Sequence, residues 1–208
     1  MRIGLLGGSF DPVHRAHIAL AQAALEQLGL DQVQLLPARQ PWQKPTLSAS
    51  AQHRLAMLEL AIGERRALVI NASELSRPPP TYTIDTLEAL PRTDEYFWLL
   101  GSDQLNNLPS WHRWREVLAA VTLVAVNRPG AIKPIPSELQ SALDLGQARL
   151  IQLDFEPIDA SSTALRQALA LGDETGDWLD PAVADYIKTN RLYQSQAPDS
   201  STETSGLE

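Results

Sequence analysis

The chain has 208 residues, of which 44% are hydrophobic and 20% charged, with a net charge of −8, four histidines and no cysteine. That balance describes a globular domain with a real core and excludes a disordered chain; the acidic surface argues against nonspecific contact with nucleic acid or anionic lipid. Without cysteine there is no disulfide framework, thiolate zinc site or cysteine nucleophile. No apolar run approaches the ~18 residues of a membrane span, and the opening run is too short for a signal peptide, so a cytoplasmic protein is expected.

The opening "RIGLLG" is short, apolar and closed by glycine, which predicts a buried strand. A helix is expected next, with Asp11 as its N-cap, Pro12 in its first position and Gly29 at its carboxyl end. "QVQLLP" reads as a second strand, "SAQHRLAMLELAIG" as an amphipathic helix and "ALVIN" as a third strand. "RPPPTYT" is a loop and "IDTLEAL" a short helix. "YFWLLG" is a fourth strand, "SWHRWREVLAA" a helix, "VTLVAVN" a fifth strand, and "RPG" a turn. "PSELQSALDL" is helical, "ARLIQL" a sixth strand, and "SSTALRQALALG" and "PAVADYIKTN" are closing helices. Continuous apolar strands alternating with helices predict an α/β fold, a Rossmann-like doubly wound parallel sheet with helices on both faces. Residues 1–193 are expected to form one domain, and the polar stretch 194–208 a flexible tail.

"GGSFDPVHRAH" (7–17) follows the first strand, and in an open parallel sheet ligands bind beyond the carboxyl ends of the strands. Two glycines admit close backbone approach, and the amino end of the following helix attracts anions. His14 and His17 at i and i+3 share a face, where they can donate to phosphate oxygens. A zinc site would need a third ligand. Neither a GxxxxGK[ST] loop nor a GxGxxG turn is present.

These residues resemble the GGTFDPxHxGH signature of the nucleotidyltransferases with a Rossmann-like fold. "TYTIDTL" (81–87), "GSDQLNNLPSWHRW" (101–114) and "SSTALR" (161–166) resemble, in order and spacing, the SYTxxTL, GxDxxxxxxxW and ISSTxIR segments of the nicotinate-nucleotide adenylyltransferases. The likeness runs to about Tyr193. It departs at Ser9, which keeps the hydroxyl of the usual Thr; at Ala16, in place of the Gly of HxGH; at Gln43, where many members carry histidine; and at Ala160, in place of Ile.

The resemblance implies joining of nicotinate mononucleotide to ATP, giving deamido-NAD and pyrophosphate, with Mg²⁺ held mainly by the substrate phosphates. It implies His14 and His17 as catalytic donors to the triphosphate, and Gly7, Gly8, Ser9, Phe10, Gly101, Asp103, Ser161, Ser162, Thr163 and Arg166 at the ATP side. Lys44, Thr83, Ile84, Trp111 and His112 belong to the mononucleotide side; Arg39 adds positive charge nearby. Trp111 would stack on the pyridine ring, whereas Trp98, inside a strand, is expected to be packing. The partners expected are these small molecules, without nucleic acid or membrane; oligomeric state stays open. A related enzyme acting on nicotinamide mononucleotide or phosphopantetheine, and a noncatalytic nucleotide-binding module, are the alternatives.

Overall fold

The continuous apolar runs become six strands, all parallel, in a computed structural model that describes residues 1–40, 47–78, 80–126, 135–156, 158 and 160–194. They are β1 (Arg2–Gly8), β2 (Gln32–Pro37), β3 (Leu68–Ile70), β4 (Glu95–Gly101), β5 (Thr122–Val126) and β6 (Arg149–Leu153), in the order β3-β2-β1-β4-β5-β6. The helices among the described residues are α1 (Arg15–Leu28), α2 (Ala51–Ile62), α3 (Thr83–Glu88), α4 (Ser102–Asn107), α5 (Trp114–Ala120), α6 (Ser137–Asp144), α7 (Ser162–Leu171) and α8 (Pro181–Thr189).

Successive strand side chains point to opposite faces, so a strand covered on both sides must be apolar at every position. In β4, Phe97 and Leu99 join one core with Leu6, Val33, Ile18 of α1, Met57 of α2, Leu165 of α7 and Val183 of α8. Tyr96, Trp98 and Leu100 join the other with Leu5, Ile84 of α3, Val117 of α5 and Leu139 of α6. The sheet is therefore doubly wound, as the alternation of elements predicts. Gly4 belongs to this packing: a Cβ there would lie 2.7 Å from Val33 Cγ2 and 2.9 Å from Leu30 Cδ1.

β1 is central, paired to β2 (Gly8 opposite Pro37) and to β4 (Leu5 opposite Trp98). The chain winds outward from β1 in both directions, so the crevice beyond the carboxyl ends of β1 and β4 is the topological switch point, where open α/β sheets bind ligands. Gly7, Gly8 and Gly101 end the two strands that flank it.

Three local expectations change. The first helix begins at Arg15, not Pro12, and its N-cap is His14 in an extended conformation (φ −141°, ψ 168°). Residues 11–13 instead form a buried turn with a cis Asp11–Pro12 peptide, because Val13 fills the core and the Asp11 carboxylate is committed elsewhere. The segment 110–120 is helical only from Trp114; before it come a 3-10 turn at Leu108–Ser110 and Arg113 at φ +53°. A short helix, α4, follows directly on Gly101, where none was expected. The turn at 128–130 and the tail from 195 lie outside the described residues.

Candidate active site

His14 and His17 lie at the amino end of α1 with ring centroids 3.7 Å apart. His14 is buried, at 7% exposure, and its backbone N–H donates to His17 Nδ1 at 3.2 Å. A ring nitrogen that accepts carries no proton, so the neutral His17 ring bears its proton on Nε2, which makes that nitrogen a donor. Phe10 packs its ring against the edge of His17, centroids 5.0 Å apart, and fixes the second imidazole from the core side.

The glycines of this turn make room for neighbouring side chains. The space a Cβ would take at Gly7 is filled by Trp98 (3.2 Å), and at Gly8 by the Phe10 ring (3.0 Å). Phe10 itself is 1% exposed and in the core, so its side chain is no nucleotide contact. Gly101 is the converse case: a Cβ there would meet nothing within 4 Å, and its φ of −70° suits any residue.

Two segments far apart in sequence close on the same rim. Ser162 Oγ, at the start of α7, donates to the Pro12 carbonyl at 3.0 Å, and Arg166 Nη1 donates to the Asp11 carbonyl at 2.7 Å. Ser161 is the N-cap of α7, its hydroxyl accepting from the Ala164 N–H at 3.1 Å. Thr163 Oγ1 accepts from Arg166 Nη2 at 3.3 Å. The "SSTALR" side chains thus fasten α7 to the opening turn, and the amino ends of α1 and α7 come together. Helix amino ends present N–H groups without intrahelical partners and a positive dipole end, so their convergence suits a polyanion.

On the other half of the rim, Tyr82 and His112 bring the start of α3 beside the turn before α5, ring centroids 4.4 Å apart. Thr83 and Ile84 therefore lie next to Trp111 and His112. Arg113 clamps this pairing with bonds to Glu116 (2.7 and 2.6 Å) and to Glu88 of α3 (2.7 Å). Trp111 stands edge-on to Trp98 at 6.2 Å, and its Nε1 is buried without a hydrogen-bond partner among the described residues. Trp98 and Trp114 are buried core residues. Asp103 sits exposed in the first turn of α4. Arg39 Nη1 donates to the Arg77 carbonyl at 3.1 Å, a bond that leaves its positive charge in place. Lys44 and Gln43 lie outside the described residues. Among the described residues no group of three or more histidines or carboxylates could hold a metal ion.

Several residues with large roles give weak signals in sequence. Asp11 is 2% exposed; its carboxylate accepts from the N–H groups of Ser48 (2.7 Å) and Ala49 (3.0 Å) and from the Tyr193 hydroxyl (2.8 Å). Burial and the Asp11 charge push the Tyr193 phenol up from its ordinary range, so it stays the donor. Arg54 had a readable signal: it falls on the apolar stripe of α2 with Met57, Leu58, Ala61 and Ile62.

Glu74, buried, accepts from Thr86 Oγ1 (2.8 Å), which in turn accepts from Arg77 Nη1 (2.9 Å); the chain braces α3 from below. Burial pushes the Glu74 carboxyl up from 4.5, against the Thr86 bond and the Arg77 charge. The folded state then holds that proton more tightly than the unfolded chain. The stability this brings is full below the unfolded value and is lost as pH rises through the folded one. Wild type should accordingly lose stability relative to Glu74→Gln as pH rises from below the ordinary carboxyl range through the raised folded-state value. Urea unfolding at both ends of that window checks this; a pH-independent difference contradicts it.

Residues 5–168 match the family described as cytidylyltransferase-like. Over 193 residues the chain is 52% identical to the probable nicotinate-nucleotide adenylyltransferase of Bordetella pertussis (strain Tohama I), covering 93% of this chain and 98% of that one. The fold is similar to that of Plasmodium falciparum nicotinic acid mononucleotide adenylyltransferase complexed with NaAD, with a TM-score of 0.75 at 21% identity, covering 92% of this chain and 97% of that one. The same Plasmodium enzyme complexed with APC superposes with a TM-score of 0.71 at 20% identity, covering 92% and 96%.

Proposed function

Since the chain belongs to the nicotinate-nucleotide adenylyltransferases, within the cytidylyltransferase-like family, we propose that it joins nicotinate mononucleotide to ATP, releasing pyrophosphate and forming deamido-NAD. The observation that carries the assignment of roles is the meeting of the His14–His17 pair with the amino end of α7 on one rim of the sheet.

The nucleophile is a phosphate monoester. Its second pKa lies near ~6, so at neutral pH it is already largely a dianion and requires no general base. The oxygen of the mononucleotide phosphate attacks the α-phosphorus of ATP, a new P–O–P bond forms, and the bond to the β-phosphate breaks with its electrons leaving on pyrophosphate. The difficulty is charge and alignment, so positioning and electrostatic stabilisation carry the rate. His14 and His17 donate to the triphosphate, His17 through Nε2. The amino ends of α1 and α7 face the same oxyanions, with Ser161, Ser162, Thr163 and Arg166 holding α7 in place beside them. Gly101 leaves room at the carboxyl end of β4 for the nucleoside, and Asp103 accepts from its ribose. Mg²⁺ carried on the substrate phosphates would offset their charge.

For the acceptor, Trp111 offers an indole face to the pyridine ring. The ring carboxylate then takes N–H donors at the edge of the stacked pair. Thr83 and the N–H groups of Ile84 and His112 lie around it, and Lys44 is assigned to the phosphate. Residues 1–193 form the catalytic domain in this reading, closed by Tyr193 on Asp11. Both substrates are multiply charged phosphates that a bilayer retains, which supports a cytoplasmic enzyme.

Pyrophosphate release with ATP and Mg²⁺, supplying nicotinate mononucleotide, nicotinamide mononucleotide and phosphopantetheine in turn, tests the assignment. Turnover is expected with the first; release with phosphopantetheine alone would overturn it. Trp111→Ala is expected to raise the KM for nicotinate mononucleotide about tenfold, the loss of roughly 1.4 kcal/mol of stacking, with the KM for ATP little changed. Equal effects on both KM values would remove Trp111 from the pyridine site.

A further inference from the structure

The reaction as described leaves one buried cation unused. Arg54, on α2, is 1% exposed, yet its guanidinium lies under the turns that follow β1 and β2. Nη1 donates to the carbonyls of Ser9 at 2.7 Å and Ala38 at 2.8 Å, and Nη2 to the carbonyl of Arg39 at 3.3 Å. Its Nε has no partner among the described residues. Burial lowers the Arg54 pKa, while the charge of Asp11 opposes that shift. An arginine nonetheless stays charged in proteins. Taking a guanidinium out of water costs several kcal/mol, and an apolar side chain of the same size on the same stripe of α2 would avoid that cost. Stability alone is a poor reason for an arginine at this position.

The geometry supplies another. In a trans peptide the C=O and the following N–H point in opposite directions. Carbonyls of Ser9 and Ala38 that turn inward to Arg54 turn the N–H groups of Phe10 and Arg39 outward. Phe10 adopts φ +47° in that turn. These two amides stand at the carboxyl ends of adjacent strands, since Gly8 is opposite Pro37 and the Ala38 N–H donates to the Gly8 carbonyl at 2.9 Å. Outward N–H groups at adjacent loop positions make an anion-binding concavity. The fixed positive charge beneath it lies in a medium that screens poorly. This is the β1–β2 side of the rim, away from the β1–β4 crevice assigned to ATP.

We infer that Arg54 is a positioning residue: it aims the Phe10 and Arg39 amides at the phosphate of nicotinate mononucleotide and sets the spacing of the two turns that receive it. The inference rests on the adenylyltransferase reading. Arg54→Lys keeps the charge but cannot span three carbonyls; Arg54→Met removes both. Each is assayed by pyrophosphate release against either substrate, with thermal unfolding alongside. The KM for nicotinate mononucleotide is expected to rise roughly tenfold in Arg54→Lys and further in Arg54→Met, with the KM for ATP within about twofold of wild type. A merely structural arginine would lower the melting temperature and the active fraction while leaving both KM values in place, and that outcome overturns the inference. Should Arg54→Met fail to fold, Arg54→Lys decides. Amide shifts of Phe10 and Arg39 in ¹⁵N-labelled wild type, titrated with nicotinate mononucleotide, give a second readout. Shifts in both support the role, and unmoved amides at saturation sink it. No wild-type turnover removes the reading and the inference together; normal wild-type turnover with an unchanged KM in Arg54→Lys removes the inference alone.

Discussion

His14→Ala is expected to lower kcat roughly 10²–10³-fold, the usual effect of deleting one donor to a transition-state oxyanion, while the KM for nicotinate mononucleotide shifts by less than about threefold. The asymmetry follows from position. His14 sits at the amino end of α1, beside the α7 attachment and away from the Trp111–Thr83 half of the rim. Its backbone N–H, which holds His17 Nδ1, survives the substitution, so the second imidazole keeps its main tether. On the proposed reading, what is lost is a donor that matters as charge develops on the triphosphate. Steady-state pyrophosphate release at saturating ATP and variable mononucleotide separates the two constants. Near-normal kcat would strip His14 of its role, and a large KM change would move it to the other subsite.

Asp11→Ala is expected to destabilise the fold by about 4 kcal/mol, because the buried carboxylate is lost and three donors, the Ala49 N–H buried and the other two bonds part-buried, lose their acceptor at about 1–3 kcal/mol each. For a domain of this size that is a fall in melting temperature of roughly 10 °C. The donors are the N–H groups of Ser48 and Ala49 and the Tyr193 hydroxyl. They belong to the approach to α2 and to the end of the described residues, so one carboxylate ties both to the turn after β1. Asp11→Asn keeps an acceptor oxygen and should lose less. Chemical denaturation of the two variants checks the ordering; a loss under about 1 kcal/mol in Asp11→Ala would show that water replaces the carboxylate at no cost.

Asp11 also shows where sequence reading stops. An Asp-Pro pair before an apolar stripe is a sound helix start by local rules, yet the helix starts at Arg15. The side chain that should have capped its own helix caps the approach to another, 37 residues on. Local propensity offers no means of weighing a distant backbone donor against a near one. Phe10 shows the same gap: its place in the motif says nothing of its ring lying over Gly8 in the core. Arg54 stood on an apolar stripe and was legible as an anomaly, but its three carbonyl partners sit on two other segments.

Residue order alone carries the alternation of apolar runs and helical stripes, and with it the parallel, doubly wound sheet. Strands covered on both faces leave an unbroken hydrophobic record, and the period of each helix is written in its own residues. Order and spacing of the four motifs likewise carry the family and the reaction. Only the folded chain brings the amino end of α7 to the turn after β1, presses Tyr82 against His112, and sets Asp11 and Arg54 beneath the rim. Those contacts join residues tens to more than a hundred positions apart, and they come into being only when the sheet folds and its strand ends line up along one edge.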